Sequence, residues 1–408
     1  MPLPKIIPAL ADLTQDIAGP VPVSLLHAWA TGEQDLDAAL TLLSPYRIDG
    51  TVISSDTSGL SRMTQATDLL EVLNMVSQPK EILYALGREI GGRAIGVWVA
   101  DNTEMIYPNE IPAETIVDAM AEVQFRIAQR LPVRIGMCIH SGSFYEIGGG
   151  LYGADADRVE YLAETCAGPD EILITEQLLA RFQPSASDDL QFKTFRHDTY
   201  KEHAWLLRSG RRVPNLAESD RKYPHPFPED FFPLLPRTDL REEIYARWLR
   251  EKVVVFLARY REAEEFPTHA DMLDTLVSNA LMDTVIRDVA REVDTLASSG
   301  GGLAILTFPD VRDAIGFTRL AHERLIANGL QVVAGVDYGP VMMFQNRVGP
   351  CGISGDPINL ASKLAEDVGR LGCISVTDRA ARLLGQIGPH EHFEIEMSGV
   401  QLHGIILT

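Results

Sequence analysis

The sequence contains little cysteine. Four occur among the 408 residues, at Cys138, Cys166, Cys351 and Cys373, and no two of them form a Cys-x-x-Cys pair. This spacing gives no support for a zinc site or for a disulfide framework. Isolated cysteines of this kind are typical of small buried residues in a reducing compartment.

The sequence also lacks an apolar run long enough to span a bilayer. Its first twenty residues, MPLPKIIPALADLTQDIAGP, do not show the basic-then-apolar order of a secretory signal, and prolines and acidic residues interrupt them. These two absences predict a cytoplasmic protein without a membrane span.

Positive charge is scarce. Lys and Arg together number 36 against 57 Asp and Glu, which gives a formal net charge of -21 at pH 7. Non-specific binding of nucleic acid requires a basic surface, so no nucleic-acid partner is expected. A nucleotide ligand is compatible with this charge, because a single pocket can be cationic on an acidic protein.

The length predicts two domains, since 408 residues exceed what one ordinary core uses. Prolines are dense between residues 209 and 239, which excludes a regular helix or a central strand there and marks a linker. The aromatic residues of this linker predict that it packs against the folded protein. The expected organisation is an N-terminal extension (1–47), a first domain (48–208), the linker (209–239) and a second domain (240–408).

The two domains show the same order of predicted elements. In the first, the strand GTVISSD precedes a long amphipathic helix, a hairpin with ADN at its tip, a second helix, the strand RIGMCIH, a short helix and the strand EILIT. The second repeats this order from KVVVFLARY to CISVT. Two tandem copies of one βααββαβ unit explain the length better than two unrelated domains.

The run DLREEIYARWLREK precedes the second copy and carries Leu240, Ile244 and Trp248 at helical spacing. A helix that binds a partner is conceivable here. Packing of this helix against its own domain is the expectation.

Two runs resemble the catalytic core of class III adenylate and guanylate cyclases. They are RIGMCIHSG…YGADADRVEYLAETCAGPDEILITEQL in the first copy and VAGVDYGPV…GISGDPINLASKLAEDVGRLGCISVTDRA in the second. The family typically has a strand ending Gly-Ile-His-Ser-Gly, then Gly-Asp-x-Val-Asn-x-Ala-x-Arg-Leu on a helix. The resemblance covers residues 48–182 and 250–386, most of the chain.

This resemblance implies an α+β fold of two tandem ferredoxin-like cyclase homology domains that pair head to tail as an intramolecular pseudo-dimer. In the family, one domain supplies two metal-binding aspartates and the other supplies an Asn and an Arg, at the interface. The expected ligand is a nucleoside triphosphate, and the expected cofactors are two Mg²⁺ or Mn²⁺ ions, which prefer carboxylate ligands and clamp the phosphates. A protein regulator is a further expected class of partner.

The metal positions of the family fall on Asp56, in ISSDTSGLS, and on Asp101, in the hairpin tip ADN. A turn residue at a strand end and an ordinary hairpin aspartate are the alternatives for these two positions. In the second copy the matching residues are Ala258 and Gly302, so both carboxylates are absent there.

The helix of the second copy carries Asn359 and Lys363 at the positions of the family's Asn and Arg. They are four residues apart and therefore share one helix face, as two groups that contact one phosphate must. In the first copy we expect Glu160 and Glu164 at these positions, where they would repel a triphosphate. The losses in the two copies are thus complementary, which predicts one composite site and one inactive site.

Three departures from the family bear on activity. Lys363 offers a point charge where the family has the planar fork of Arg. The residues that read the purine in the family fall on Ser298 and Gly352, so the sequence does not predict which base the ligand carries. The expected phosphate-binding Arg falls on Gly136, and Arg134, on the same strand face, is the predicted substitute.

Three functions are compatible with these residues. The first is a nucleotidyl cyclase in which Asp56 and Asp101 hold the metal ions while Asn359 and Lys363 act on ribose and phosphate. The second is an inactive pseudocyclase that binds nucleotide or protein as a regulatory module. The third, which the residues favour least, is a structural scaffold in which the repeat only closes an intramolecular pseudo-dimer. His140 is expected to be structural.

Overall fold

The structure, a computed structural model, describes residues 21–59, 67–99, 103–182, 189–196, 201–209, 217, 222–260, 268–290, 296–344, 352–385, 388–397 and 400–408. Within these ranges no helix combines the length and the apolar character that a membrane crossing requires.

The first domain is built on one mixed sheet with the strand order β2–β3–β1–β4–β6–β8–β7, and β5 forms a hairpin with β4. Its strands are β1 (Arg47–Thr57), β2 (Arg93–Ala94), β3 (Thr103–Pro108), β4 (Ile135–Ile147), β5 (Gly150–Tyr152), β6 (Ile172–Thr175), β7 (Asp189–Arg196) and β8 (Lys201–Ser209). The helices before and within this domain are α1 (Val23–Thr31), α2 (Leu36–Leu43), α3 (Leu69–Glu89), α4 (Ala113–Arg130), α5 (Ala154–Tyr161) and α6 (Glu176–Leu179).

The second domain has the same topology, with the order β10–β11–β9–β12–β14–β16–β15 and β13 paired with β12. Its strands are β9 (Leu249–Arg259), β10 (Leu296–Gly300), β11 (Leu303–Phe308), β12 (Val332–Phe344), β13 (Gly352–Ser354), β14 (Ile374–Thr377), β15 (His390–Met397) and β16 (Val400–Leu407). The helices before and within it are α7 (Arg241–Trp248), α8 (His269–Ala290), α9 (Val311–Ala327), α10 (Asp356–Lys363) and α11 (Asp378–Leu384). The prediction of an α+β fold with two tandem copies of one unit is confirmed.

Alternation along each central strand separates two apolar layers. In β1, Ile53 packs with the cluster that includes α3 and α4, whereas its neighbour Val52 packs with the cluster that includes α5. Successive side chains of a strand point to opposite faces, so one short run supplies both layers. The long helices therefore cover one face of the sheet, and α5 lies on the other face.

Each domain's main core is completed by the segment that precedes the other domain. The cluster of the second domain includes Leu26, Trp29 and Leu43 from α1 and α2. The cluster of the first domain includes Phe231 and Trp248, from the linker and α7. Helix α7 packs on both domains: the Trp248 ring meets Phe344 of β12 at 6.4 Å between centroids, and Tyr245 donates a hydrogen bond to Asp68 of the first domain.

The C-terminal ends of β4 and β12 also pack reciprocally, each in the core cluster of the other domain. Tyr145 and Ile147, at the end of β4, lie in the cluster of the second domain, and the Tyr145 ring meets His269 edge-to-face at 5.4 Å between centroids. Met342 and Phe344, at the end of β12, lie in the cluster of the first domain. These pairs are equivalent, because the hairpins place Tyr145 opposite Tyr152 and Met342 opposite Ser354.

Candidate functional site

Asp56 lies near the C-terminal end of β1, a central strand of the first sheet. It is half-buried and stands opposite Gly136 of β4. On the other side, Ser55 is opposite Thr103, the first residue of β3, and their hydroxyl groups are hydrogen-bonded at 2.6 Å. Asp101 lies outside the described residues, two positions before β3 begins. The structure therefore locates one of the two predicted carboxylates.

The strand register identifies the equivalent of Asp56 in the second domain. Ala258 stands opposite Val333 of β12, and the preceding residue, Leu257, stands opposite Ala304 of β11. This is the pairing that Asp56 and Ser55 make in the first domain, so Ala258 takes the place of Asp56.

The space next to Gly302, the residue that matches Asp101, is filled by neutral and cationic groups. A Cβ atom at Gly302 would lie 2.5 Å from Oδ1 of Asn279, so a side chain at position 302 would collide with this amide. Arg259 donates from Nε to the same Asn279 oxygen at 2.9 Å and from Nη2 to Thr275 at 3.3 Å. A cation cannot favourably enter a space that already holds a guanidinium group.

Asn359 and Lys363 lie on α10, both half-buried. Lys363 is the last residue of the α-helix, and a π-helical turn, Leu364–Val368, follows it. Burial raises the pKa of Glu366 in this turn, Asp367 raises it further, and Lys363 opposes this rise. The ammonium group therefore lies within electrostatic range of the Glu366 carboxyl group.

The two copies of this helix align by their ends. Both follow a glycine, Gly153 and Gly355, and both change to a π-helical turn at a leucine, Leu162 and Leu364. This register places Asp157 at the position of Asn359.

The same register places Tyr161 at the position of Lys363. The expectation that Glu160 and Glu164 occupy these two places is therefore wrong by three residues. The first copy still lacks the Asn and the cation, and Asp157 adds a negative charge. The Leu-Ala-Glu triplet shared by residues 162–164 and 364–366 is the sequence signal that gives the correct register.

Glu160 and Glu164 act on a third carboxyl group, that of Glu104 on β3. Burial raises the pKa of Glu104 to about 8, and the charges of Glu160 and Glu164 add to this effect. Glu160 and Glu164 therefore place negative charge near the face of the first sheet that α5 covers, and this charge disfavours a triphosphate there.

Arg134 directly precedes β4, near Asp56, since its carbonyl oxygen accepts a hydrogen bond from Ser58 N. Its guanidinium group donates to the carbonyl oxygens of Leu131 at 2.7 Å and Val133 at 2.9 Å. Its Nε lies 3.2 Å from Oδ2 of Asp170. These contacts hold the side chain at the C-terminal end of α4. Its predicted role in phosphate binding stays a prediction.

The helix copies are tied to the central strands by different polar groups. In the first domain, buried His140 contacts Thr175 through Nδ1 at 2.9 Å, and its Nε2 lies 3.1 Å from Asp155. In the second domain the equivalent of His140 is Asp337, which binds Thr377 and Arg379. The expectation that His140 is structural agrees with its contacts. The motif comparison gave no signal for Arg379.

The linker contacts residues that neighbour predicted site positions in both domains. Trp98, just before the 100–102 tip, donates its backbone N–H to Pro224 O at 2.8 Å, and its ring stacks on Tyr223 at 5.8 Å between centroids. On the other side, a Cβ atom at Gly352 would lie 3.4 Å from Pro226 O. Of the predicted base positions, Gly352 thus faces the linker backbone.

The fit of a metal ion rests on Asp56. Mg²⁺ and Mn²⁺ take oxygen ligands, and a half-buried carboxylate at a strand end is a suitable one. Among the described residues, no group of three or more His, Cys, Asp or Glu side chains is arranged to hold a metal ion. A site with two ions needs Asp101 and stays a prediction.

Several solved structures resemble this chain in fold. A class III adenylyl cyclase-like ATP-binding protein from Pseudomonas aeruginosa matches over 83% of this chain and 85% of its own, with 15% identity and a TM-score of 0.48. The guanylate cyclase domain of RhGC from Catenaria anguillulae matches over 39% and 97%, with 17% identity and a TM-score of 0.32. The adenylyl cyclase CyaB from P. aeruginosa matches over 41% of this chain and 96% of its own, with 14% identity and a TM-score of 0.35. No family model and no curated protein matches the sequence.

Proposed function

We propose that the chain binds a nucleoside triphosphate at one composite site between its two domains and converts it to a 3′,5′-cyclic nucleotide and pyrophosphate. The ribose 3′ oxygen forms a bond to the α-phosphorus as the bond from that phosphorus to the bridging oxygen breaks. Pyrophosphate leaves with the electron pair, and the 3′ hydroxyl proton passes to water.

The complementary composition of the two copies carries this proposal. The first domain has Asp56 where the second has Ala258, and the second has Asn359 and Lys363 where the first has Asp157 and Tyr161. The space beside Gly302, which matches Asp101, is filled by Asn279 and Arg259. A site formed by the end of β1 and by α10 therefore combines an acidic group with an amide and an ammonium group. A site formed by the end of β9 and by α5 would have neither the strand-end carboxylate nor the amide and ammonium groups.

The reciprocal packing of the domains supports a head-to-tail pseudo-dimer. Ile147 and Phe344, the last residues of β4 and β12, are equivalent, and each lies in the core cluster of the other domain. Such an exchange is what an internal two-fold relation produces. In the head-to-tail arrangement that the family resemblance implies, the end of β1 in one domain would face the α5 or α10 helix of the other.

The residues of the chain would act on the substrate by charge and orientation. Asp56, together with Asp101, would hold Mg²⁺ or Mn²⁺, which when bound neutralises phosphate charge and activates the attacking oxygen. The Asn359 amide would orient the ribose or the α-phosphate. The Lys363 ammonium would stabilise the negative charge that develops during transfer, and its place on a packed helix would limit its reorganisation.

Nucleotide binding without turnover is the second candidate. Two observations favour it. The guanidinium group of Arg134 is engaged by the carbonyl oxygens of Leu131 and Val133. The linker backbone at Pro226 faces Gly352, where the family reads the base. The first feature engages the predicted phosphate-binding Arg and the second obstructs the base position, so the substrate would be held by fewer groups and less well oriented for turnover.

The test measures binding and product separately. Purified full-length chain is incubated with Mn²⁺ and each common nucleoside triphosphate, binding is followed by thermal shift, and cyclic nucleotide is quantified by chromatography. We expect a thermal shift, cyclic product, and loss of product in Asp56→Asn. Asp157→Asn, at the equivalent of Asn359 in the first copy, is the matched control and should retain activity. A shift without product selects the second candidate, and the absence of any shift rejects both.

A further inference from the structure

Helix α10, which carries Asn359 and Lys363, packs directly on the backbone of β12. A Cβ atom at Gly335 would lie only 1.9 Å from the carbonyl oxygen of Ala361, so any side chain there would displace the helix. In the first domain the equivalent strand residue is Cys138, because Cys138 pairs with Leu173 as Gly335 pairs with Ser375. Gly335 therefore sets how closely α10 approaches the strand.

A second contact fixes the rotation of α10 about its own axis. Arg379, on α11, donates from Nε to Oδ1 of Asp337 at 2.7 Å and from Nη2 to Oδ2 of Asp356 at 2.7 Å. Asp337 lies on β12 with no exposed surface, and Thr377 also donates to it. Asp356 is the first residue of α10. One guanidinium group thus ties the start of the helix to the centre of the sheet.

The tie acts on the side of the helix that carries the predicted site. Asn359 follows Asp356 by three residues and Lys363 follows it by seven, so all three lie along one face. A rotation of α10 that breaks the contact between Arg379 and Asp356 would swing Asn359 and Lys363 away together. The planar fork of Arg can hold two carboxylates at once in a fixed geometry, which a Lys cannot do.

The copy of this helix without the site is tied differently. Thr175 and Thr377 are equivalent N-terminal caps, of α6 and α11, so Gln177 stands where the second domain has Arg379. The first turn of α5 is held through Asp155 by His140 and by Arg158, which also contacts Glu202. Arg158 is therefore a matched ion-pairing residue on the equivalent helix of the other copy.

We propose that Arg379 is a positioning residue for the nucleotide site. It holds α10 in the rotational setting in which Asn359 and Lys363 face the bound phosphates, and it does not itself contact the nucleotide. This role rests on the proposed function, since it is the nucleotide site of that proposal which Arg379 organises.

The experiment compares Arg379→Gln, Arg379→Lys and the control Arg158→Gln in the full-length chain. Arg379→Gln installs the residue of the first copy, and Arg379→Lys keeps the charge but loses the fork. Three quantities are measured: hydrogen–deuterium exchange of residues 356–368, the melting temperature, and the Kd for a fluorescent nucleoside triphosphate analogue with Mn²⁺.

In Arg379→Gln we expect faster exchange across α10 and at least a tenfold rise in Kd. In Arg379→Lys we expect intermediate values of both. Arg158→Gln should lower the melting temperature comparably and leave the Kd within twofold of the wild-type value, because it loosens the helix without the site. A Kd that rises equally in both glutamine variants would show a general loss of structure and would overturn the assignment.

Two further outcomes separate this inference from the proposed function. If Arg379→Gln leaves the exchange of α10 unchanged, the positioning role is rejected whatever the Kd values are. If exchange rises but the wild-type chain binds no triphosphate, the proposed function fails, and with it the nucleotide role of Arg379. Should Arg379→Gln fail to fold, the same comparison is made with Arg379→Lys, in which unchanged exchange and Kd would reject the inference.

Discussion

The indole N–H of Trp29 donates to Oδ1 of Asp274 at 2.7 Å and so joins α1, which precedes the first domain, to α8 of the second. The Trp29 ring is 1% exposed and belongs to the main cluster of the second domain. Buried indole groups usually need such a partner. The N-terminal helices are thus part of the second domain's core although the whole first domain separates them from it in the sequence.

Trp29→Ala should destabilise the chain by about 3–5 kcal/mol, because it removes a large buried ring and leaves a cavity. Trp29→Phe keeps one aromatic ring but loses the hydrogen bond and part of the buried volume, so a smaller loss than in the alanine variant is expected. The measurement is urea-induced unfolding of the full-length chain. A loss below about 1 kcal/mol in the alanine variant would show that α1 is peripheral.

Gly335→Ala should destabilise the protein and displace α10. The new methyl group would meet the carbonyl oxygen of Ala361, a rigid backbone atom, and overpacking of this kind costs about 1–3 kcal/mol. The matched control is Gly316→Ala, an exposed glycine inside α9 whose new Cβ would have open space. That control should stabilise the chain by up to about 1 kcal/mol, since alanine restricts the unfolded chain.

Measuring nucleotide binding in Gly335→Ala distinguishes a displacement of α10 from a general loss of stability. Gly335→Ala should weaken triphosphate affinity, because α10 carries Asn359 and Lys363. Unchanged affinity in a clearly destabilised variant would mean that the position of the helix does not govern the site.

The pH dependence of stability should contain a contribution from Glu104. Its pKa is raised from 4.5 to about 8 in the folded protein, so between these values the folded state binds more protons than the unfolded state. The contribution of Glu104 is therefore fully present below about pH 4.5 and is lost as pH rises to about 8, with a slope of at most about 1.4 kcal/mol per pH unit.

Glu104→Gln removes this contribution. The free energy of unfolding of the variant, relative to the wild type, should increase steadily between pH 5 and 8, as measured by urea unfolding at several pH values. In Glu160→Gln the fall should begin at the same pH but end at a lower pH and be smaller, because one charge that raises the pKa of Glu104 is gone. A difference between Glu104→Gln and wild type that does not vary with pH would contradict the raised pKa.

Arg134→Gln tests the remaining predicted phosphate ligand. The guanidinium group binds carbonyl oxygens at the end of α4, so we expect a loss of stability of about 1–2 kcal/mol and a triphosphate Kd within threefold of wild type. Thermal unfolding and the fluorescent analogue give the two values. A tenfold or greater rise in Kd would instead assign Arg134 to phosphate binding.

Much of the fold could be predicted from local patterns. The repeated order of elements identified both domains because amphipathic helices and alternating strands leave periodic signals that do not depend on distant contacts. The alignment of Asp56 with Ala258 also agrees with the strand register, because a β-strand slipped by one residue would turn its buried face outward.

The errors arose where the pattern was degenerate or the contact distant. Apolar residues recur every three or four positions on a helix, so a shift of three residues keeps the apolar face nearly intact. Helical periodicity alone therefore does not distinguish Glu160 from Asp157 as the equivalent of Asn359. Periodicity also indicates that the apolar face of α7 is buried but not what covers it, so the contacts of this helix with the first domain could not be predicted. Asp101 lies outside the described residues, so its role stays a prediction.

The exchange of leading segments has a consequence for synthesis on the ribosome. The nascent first domain cannot complete its core when β8 emerges, because Phe231 and Trp248 are translated later. Helices α1 and α2 can pack only later, when α8 has left the exit tunnel. The chain must therefore keep two apolar surfaces from aggregating during elongation, and a chaperone that binds exposed apolar segments would have its targets there.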